Sequence, residues 1–491
     1  MVLNARDFDD NGGRSRICLQ RLAVVDAWRS AARASVPDAG IVEHCSLRSV
    51  IVWVESASEA WLHALPDCVH LADVRVYEAQ STNGGAAISA CPLDANNIAV
   101  YSPKLLSLPE STGRLTSLTR LDLRGCNSLT VLPESLGQLT ALTSLNLRKC
   151  SSLTGLPESM GQLAALTSLD LLACSSLTEL PEWMGQLTAL TSLNLSGCRS
   201  LTVLPESMDQ LSVLTSLDLS SCSSMTVLPE SMGMLVALGS LNLSWCKSLT
   251  VLPESMGQLA ALTSLSLHNC ESLPELPESI GQLATLKSLD LKDCKSLTVL
   301  PEWMGQLAAL ASLDLSHWKS LTVLPESMGQ LSVLTSLDLS SCSSMMVLPE
   351  SMGMLAALES LNLSWCKSLT RLPESMGQLT ALTSLDLHNC ESLTVLPESM
   401  GQLATLKSLN LSGCESLTVL PESMGQLTAL TSLNLSGCRS LARLPDSALI
   451  LNLLTRQHGT ALCLGALLPA LARMPESMGQ LAALTSLNLS S

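Results

Sequence analysis

The sequence predicts an α/β solenoid, with a parallel β-sheet on its concave face and short helical or 3-10 segments on its convex face. Three observations carry that expectation. A 24-residue phrase, LTSLNLSGCRSLTVLPESMGQLTA with small variations, returns in register at least fourteen times. Cysteine keeps the same period at 126, 150, 174, 198, 222, 246, 270 and 294, then at 342, 366, 390, 414 and 438, with Trp318 in the skipped slot. Proline does likewise from Pro109 to Pro445. A unit this long cannot bury its apolar face alone, so successive copies are expected to stack into one continuous solenoid.

Each element of the unit has a local cause. Leu193 and Leu195 alternate with Ser192, Asn194 and Ser196, the period of two of a strand with one buried face. After a turn, Leu201 and Leu204 lead to Pro205, which suits a first helical position, and to Glu206, placed where a helix N-terminus favours negative charge. Met208 and Leu211 are then expected inside, before the chain returns to the next strand. The pattern L-x-x-L-x-L-x-x-C-x-x-L matches the leucine-rich repeat. Many such repeats place asparagine in the cysteine slot to satisfy backbone groups of the turn. Cysteine there reads as a small buried group with a weak S–H donor.

The phrase LNLSGCxSLTxLPESxGxLxxL resembles the leucine-rich repeats of plant-type intracellular nucleotide-binding disease-resistance receptors, particularly the TIR class, over roughly residues 106–445. It is similar, more distantly, to the intracellular Ras-scaffold type, which also carries Leu-Pro in each unit. The resemblance implies recognition in intracellular signalling or innate immunity. The receptors' nucleotide-binding and TIR domains have no counterpart here. No G-x-x-x-x-G-K-[ST] phosphate loop occurs, so ATP switching is not implied.

Composition narrows the function classes. Leucine at fixed positions supplies much of the 47% apolar fraction, while aromatics are only 2%. No apolar run reaches the roughly 18 residues of a membrane span. The opening MVLNARDFDDNGGRSR lacks the apolar region of a secretory signal. Column cysteines would point the same way at the ~4.8 Å strand spacing, poorly placed for a disulfide. A reduced, cytoplasmic protein is therefore expected. The formal charge of −16 argues against nucleic acid as a partner and favours a basic protein.

Four segments are expected along the chain. Residues 1–44 form a helical cap, with Leu19, Leu22, Val25 and Trp28 near helical spacing inside 14–36. Residues 26–32 (DAWRSAA) also resemble the tail of an F-box, a ubiquitin-ligase adaptor motif. Residues 45–105 hold degenerate repeats, because Val50 and Val52, Val74 and Val76, and Ile98 and Val100 keep the 24-residue period. Residues 106–445 are the regular array. Residues 446–491 are degenerate C-terminal repeats, with Gln457 and Gly459 where strand leucines belong. The chain ends directly after a strand, an open edge expected to pair with another chain or to mark missing sequence. Residues 200–319 and 320–439 are copies of one five-repeat block, differing at 21 of 120 positions. Eight of those differences fall in strand-face columns, as a diversifying ligand face requires, although buried leucines leave less room to vary elsewhere.

Stacking turns each repeat position into a column. A serine column runs from Ser144 to Ser432. Beside it, an Asp/Asn column includes Asp218, Asn242, Asp290, Asp314, Asp338 and Asn362. A variable column holds His268, Lys292 and His388. The outer column Glu110 to Glu422 reads as helix-terminus electrostatics, since it lacks the Gly/Asp loops of calcium-binding repeats. Interaction hot spots favour Trp, which singles out Trp245 and Trp365, just after a strand at the rim of the inner face. The competing reading is that each covers a leucine of the next turn. Trp183 and Trp303 are expected to pack locally on the outer side.

No catalytic constellation converges. His268-Asn269-Cys270 and His388-Asn389-Cys390 are block copies, and adjacent strand residues point to opposite faces. Nucleophile-elbow, zincin, kinase and dinucleotide signatures are absent from the sequence. The expected function is a non-enzymatic scaffold, without cofactor or metal, that binds a protein ligand on its concave surface. Two alternatives stand beside it: an F-box-like substrate receptor of a ubiquitin ligase, and the detached ligand-sensing part of a nucleotide-binding immune receptor.

Overall fold

A computed structural model of the chain describes residues 2–4, 17–18, 49–54, 73–78, 88, 91, 93–442 and 486–488. They belong to two units, residues 1–241 and residues 242–491.

In the first unit, the strands Ser49–Val54, Asp73–Glu78 and Asn97–Tyr101 lie parallel, with Val50 opposite Val74 and Val74 opposite Ile98. Ile98 in turn stands opposite Leu121, and the register continues through Leu145, Leu169, Leu193 and Leu217. Val2–Asn4 pairs parallel with the strand at 49–54 and antiparallel with Ile17–Cys18. At Ile17 and Cys18 a strand stands where the sequence suggested helix; the rest of the span 14–36, including residues 26–32, lies outside the described residues. Six 3-10 helices of five residues, from Glu110–Arg114 to Glu230–Met234, alternate with the strands of this unit.

The second unit repeats the scheme. Parallel strands from Ser264–Ser266 to Ser432–Asn434 keep Leu265, Leu289, Leu313, Leu337, Leu361, Leu385, Leu409 and Leu433 side by side. Ser486–Asn488 pairs parallel with Ser432–Asn434; the remainder of 446–491 lies outside the described residues. Eight 3-10 helices run from Glu254–Gln258 to Glu422–Gln426. Each unit thus carries its sheet on one side and its short helices on the other, with the core between them.

That core is made of the same side chains in every copy. Leu190, Leu195, Cys198, Leu201, Met208 and Leu211 have no exposed surface, and burying each leucine contributes about 1.5–3 kcal/mol. The proline placement differs from the sequence expectation. Pro205 is extended (φ −71°, ψ 148°) and precedes the helix, which begins at Glu206. An extended proline keeps Leu204 inside while its carbonyl accepts the Met208 N–H at 3.3 Å. The glutamate column also acts on its neighbour rather than on its own helix. The Glu110 carboxylate accepts the Ser135 N–H at 3.2 Å, and Glu326 accepts that of Ser351 at the same distance. Each of these two glutamates therefore caps the helix of the following repeat.

The cysteine column is equally regular. The Cys198 thiol donates to the Leu171 carbonyl at 3.3 Å, and Cys390 to Leu363 at 3.1 Å. The thiol thus satisfies a strand-end carbonyl that a buried apolar group would leave unpaired. Cys91 and the column cysteines from Cys126 to Cys438 form no disulfide. Trp318, fully buried in the odd slot, donates its indole N–H to a different acceptor, the Leu297 carbonyl beyond the turn of the preceding repeat.

Candidate functional site

Each strand of the regular repeats that finishes on Asp or Asn stops for the same reason. At its end the Asp or Asn side chain accepts the N–H two residues ahead, as Asn242 does from Ser244 at 3.0 Å and Asp386 from His388 at 2.8 Å. This Asx turn gives the backbone a partner outside the sheet ladder. Three residues beyond the Asp or Asn, the chain enters the left-handed region. Glycine fills that position at 125, 197, 413 and 437, with φ between 72° and 78°. Elsewhere it carries a side chain, and at Trp245 (φ 65°) and Trp365 (φ 63°) a very large one. Left-handed backbone costs an L-residue about 1–2 kcal/mol, and such strain collects at functional positions.

The strain aims each indole outward. Trp245 and Trp365 are 46% and 43% exposed, in a chain with few aromatic residues. Both are anchored by backbone, with their N–H groups bonded to the carbonyls of His268 and His388 at 2.6 Å. The rings meet the same histidines. Trp245 stacks on His268 at 5.5 Å between centroids, and Trp365 meets His388 edge-on at 5.6 Å. A lysine two residues on lies over each indole, Lys247 at 5.3 Å and Lys367 at 5.4 Å. These are cation–π contacts on a solvated rim.

Charge around the two clusters differs. Glu271 is clamped between Lys247 at 3.0 Å and Lys295 at 2.9 Å, and Lys295 first, then Lys247, hold its carboxyl below the usual range. In the second cluster Lys367 reaches Glu391 at 2.7 Å, and the position matching Lys295 is Glu415, paired with Arg439 at 3.4 Å. His268 faces Asp290 at 3.8 Å, whereas the His388 Nδ1 lies 2.6 Å from the Ser412 hydroxyl.

The remaining candidates are committed to turns. Asp290, Asp314, Asp338 and Asn362 each give one side-chain oxygen to their own Asx turn at 2.8–3.0 Å. Asn242 does the same and also accepts the Ser244 hydroxyl at 2.6 Å. Asp218 makes the equivalent bond to Ser220 in the first unit. Lys292 is half-buried, and its carbonyl accepts the Asn269 N–H. The geometry therefore brings together Trp245, His268 and Asp290, and separately Trp365 and His388, while the other Asp/Asn residues shape the strand ends. Lys247, Glu271 and Lys367 were not singled out from sequence. The recurring Trp-Cys-Lys triplet was the signal available.

Comparison with protein families places these copies. Families described as leucine-rich repeat region and leucine rich repeat match residues 265–368 and 380–439, and a third leucine-rich-repeat family matches 117–139 and 189–211. These segments are leucine-rich repeats. A leucine-rich-repeat protein of Leptospira interrogans is 27% identical, with 76% of this chain and 86% of that one covered, at a TM-score of 0.55. Toll in its complex with Spätzle, from Drosophila, has a similar fold at 17% identity and a TM-score of 0.59, covering 84% of this chain and 61% of that one. A comparison with curated proteins gives no match. Leucine-rich repeats are generally surfaces for other proteins. Among the described residues of this one, no helix is long and apolar enough to cross a membrane, and no three His, Cys, Asp or Glu side chains are grouped to hold a metal ion.

Proposed function

We propose that the protein is a non-enzymatic scaffold that binds a protein ligand along the sheet face of its second unit, anchored on Trp245 and Trp365. The observation that carries this reading is the pair of half-exposed indoles, each held outward by a left-handed backbone that glycine fills in other repeats. An indole covering a leucine of its own core would be buried, as Trp303 is. The anchors sit at matching places in the duplicated block, five repeats apart, or ~24 Å at the usual strand spacing. One ligand can span both. Cys91 and the column cysteines, none of them in a disulfide, support a reducing compartment, and the likeness of the repeats to plant-type disease-resistance receptors supports a role in intracellular recognition.

The test is affinity capture with the full chain and with W245G/W365G. Glycine fits the backbone at both positions, so the double variant should fold and lose its specific partners. Retention of the same partners by the folded variant would refute the assignment.

A further inference from the structure

A second surface, away from the tryptophans, is built by departures from the repeat. One position per repeat, exposed or half-buried, lies where the chain approaches its helix, and it is usually valine. From residue 275 to 371 the column reads Glu275, Val299, Val323, Val347, Arg371. Val299 and Val323 are 68% and 53% exposed. They floor a cleft of 480 Å³ that is walled by Pro325, Pro349, Glu302, Glu326 and Glu350 and reaches Arg371. A neighbouring cleft of 660 Å³ shares Val299 and Glu302 and extends to Glu275 and Trp303. Together they form one groove, with an apolar floor, an acidic wall, an acid at one end and a base at the other.

The groove lies beside a gap in a backbone ladder. The residue just before this column donates to the preceding repeat in several copies, as Thr394 N–H does to the Thr370 carbonyl at 3.3 Å. Pro274 has no N–H to offer, and among the described residues the next such bond after it runs from Thr370 to the Met346 carbonyl. An apolar stripe of this kind marks an interaction site. Its spacing selects the occupant. Same-face side chains of a strand lie ~6.7 Å apart, out of step with repeats spaced ~4.8 Å. A helix presents one apolar residue per ~5.4 Å turn, close to that step.

We infer that this groove docks an amphipathic helical segment of a basic partner protein. The segment's apolar face lies on Val299, Val323 and Val347, and its lysines or arginines face Glu302, Glu326 and Glu350. Glu275 and Arg371 set its direction, with basic residues at the Glu275 end and an acidic one at the Arg371 end. Four repeats separate these two residues, which corresponds to a helix of ~13 residues. This surface is independent of the Trp245 and Trp365 anchors.

The probe is a synthetic, end-capped, fluorescein-labelled peptide of that length, with leucine at helical i, i+3, i+4 spacing, lysine on the other face and one C-terminal glutamate. Binding to the full chain is read by fluorescence anisotropy. The patterned peptide should bind roughly tenfold tighter than a scrambled peptide of the same composition and than a lysine-to-glutamate version. V323D and V299D, both at exposed positions, should each weaken it by roughly tenfold with unchanged circular dichroism. W245G/W365G should bind it like the wild type. Equal binding of the scrambled peptide, or indifference to both aspartates, would overturn the inference. So would a dimer of the free chain that V323D converts to monomer, because the groove would then belong to a second copy.

Discussion

Trp245 carries two opposed roles in one residue. Its left-handed backbone costs about 1–2 kcal/mol, and its exposed ring returns little of that to the fold. W245G is therefore expected to raise the melting temperature slightly, with a gain of about 1 kcal/mol, while weakening ligand capture. Thermal melts of W245G and W365G check this, and a clear loss of stability would show that the indoles serve the core. The buried thiols give a second test. Burial raises Cys198, Cys294, Cys366 and Cys414 from an ordinary 9.0 to about 12. At pH 8 such a thiol is ionised in on the order of one molecule in ten thousand, so these positions should resist alkylation until the protein unfolds. Cys438, half-buried and raised only to about 11, should react first among them. Since the folded state holds these protons more tightly, stability is complete below pH 9 and should fall as pH climbs from 9 towards 12. Melting temperatures across that window give the readout.

At the scale of the repeat, bonds reach only to the next copy, so damage should stay local. W318A removes a fully buried indole and should cost about 3–5 kcal/mol. Hydrogen exchange should then quicken at the Leu315 N–H, bonded to Asp338, and leave the Leu411 N–H on Asn434 protected. Uniform loss of protection would mean that the whole unit opens together. Strands, their register and the buried leucines were legible because period-two and 24-residue patterns state them directly. The helices were legible only in position. Nothing local distinguishes five residues of 3-10 helix from one α turn, and Pro205 suits both the position before a helix and the first within it. The glutamate caps and Asx turns escaped because they satisfy backbone groups, which leave no mark in a pattern of side chains. The left-handed position was readable from Gly197, Gly413 and Gly437, which share the column of Trp245 and Trp365.

For the whole molecule, phase matters more than length. Deleting residues 295–318 removes one complete repeat and joins Cys294 to Lys319 in the ordinary phrase. The product should melt cooperatively, whereas removal of twelve residues from the same place should not, because it sets a strand against a helix. The 24-residue deletion also draws Trp245 and Trp365 closer by one strand spacing, ~4.8 Å. A ligand gripping both anchors should then bind more weakly although neither tryptophan nor its histidine has been touched; unchanged binding would mean that the two act separately.

The glutamate reaching forward to the next serine, and the thiol reaching back to an earlier carbonyl, use the same atoms in copy after copy. Unequal exchange between such gene copies can therefore add or drop a whole module and still yield a chain in which these links find their mates. Inheritance can tune the reach of this protein in steps of one module, leaving each point of grip unaltered while resetting the gauge between them.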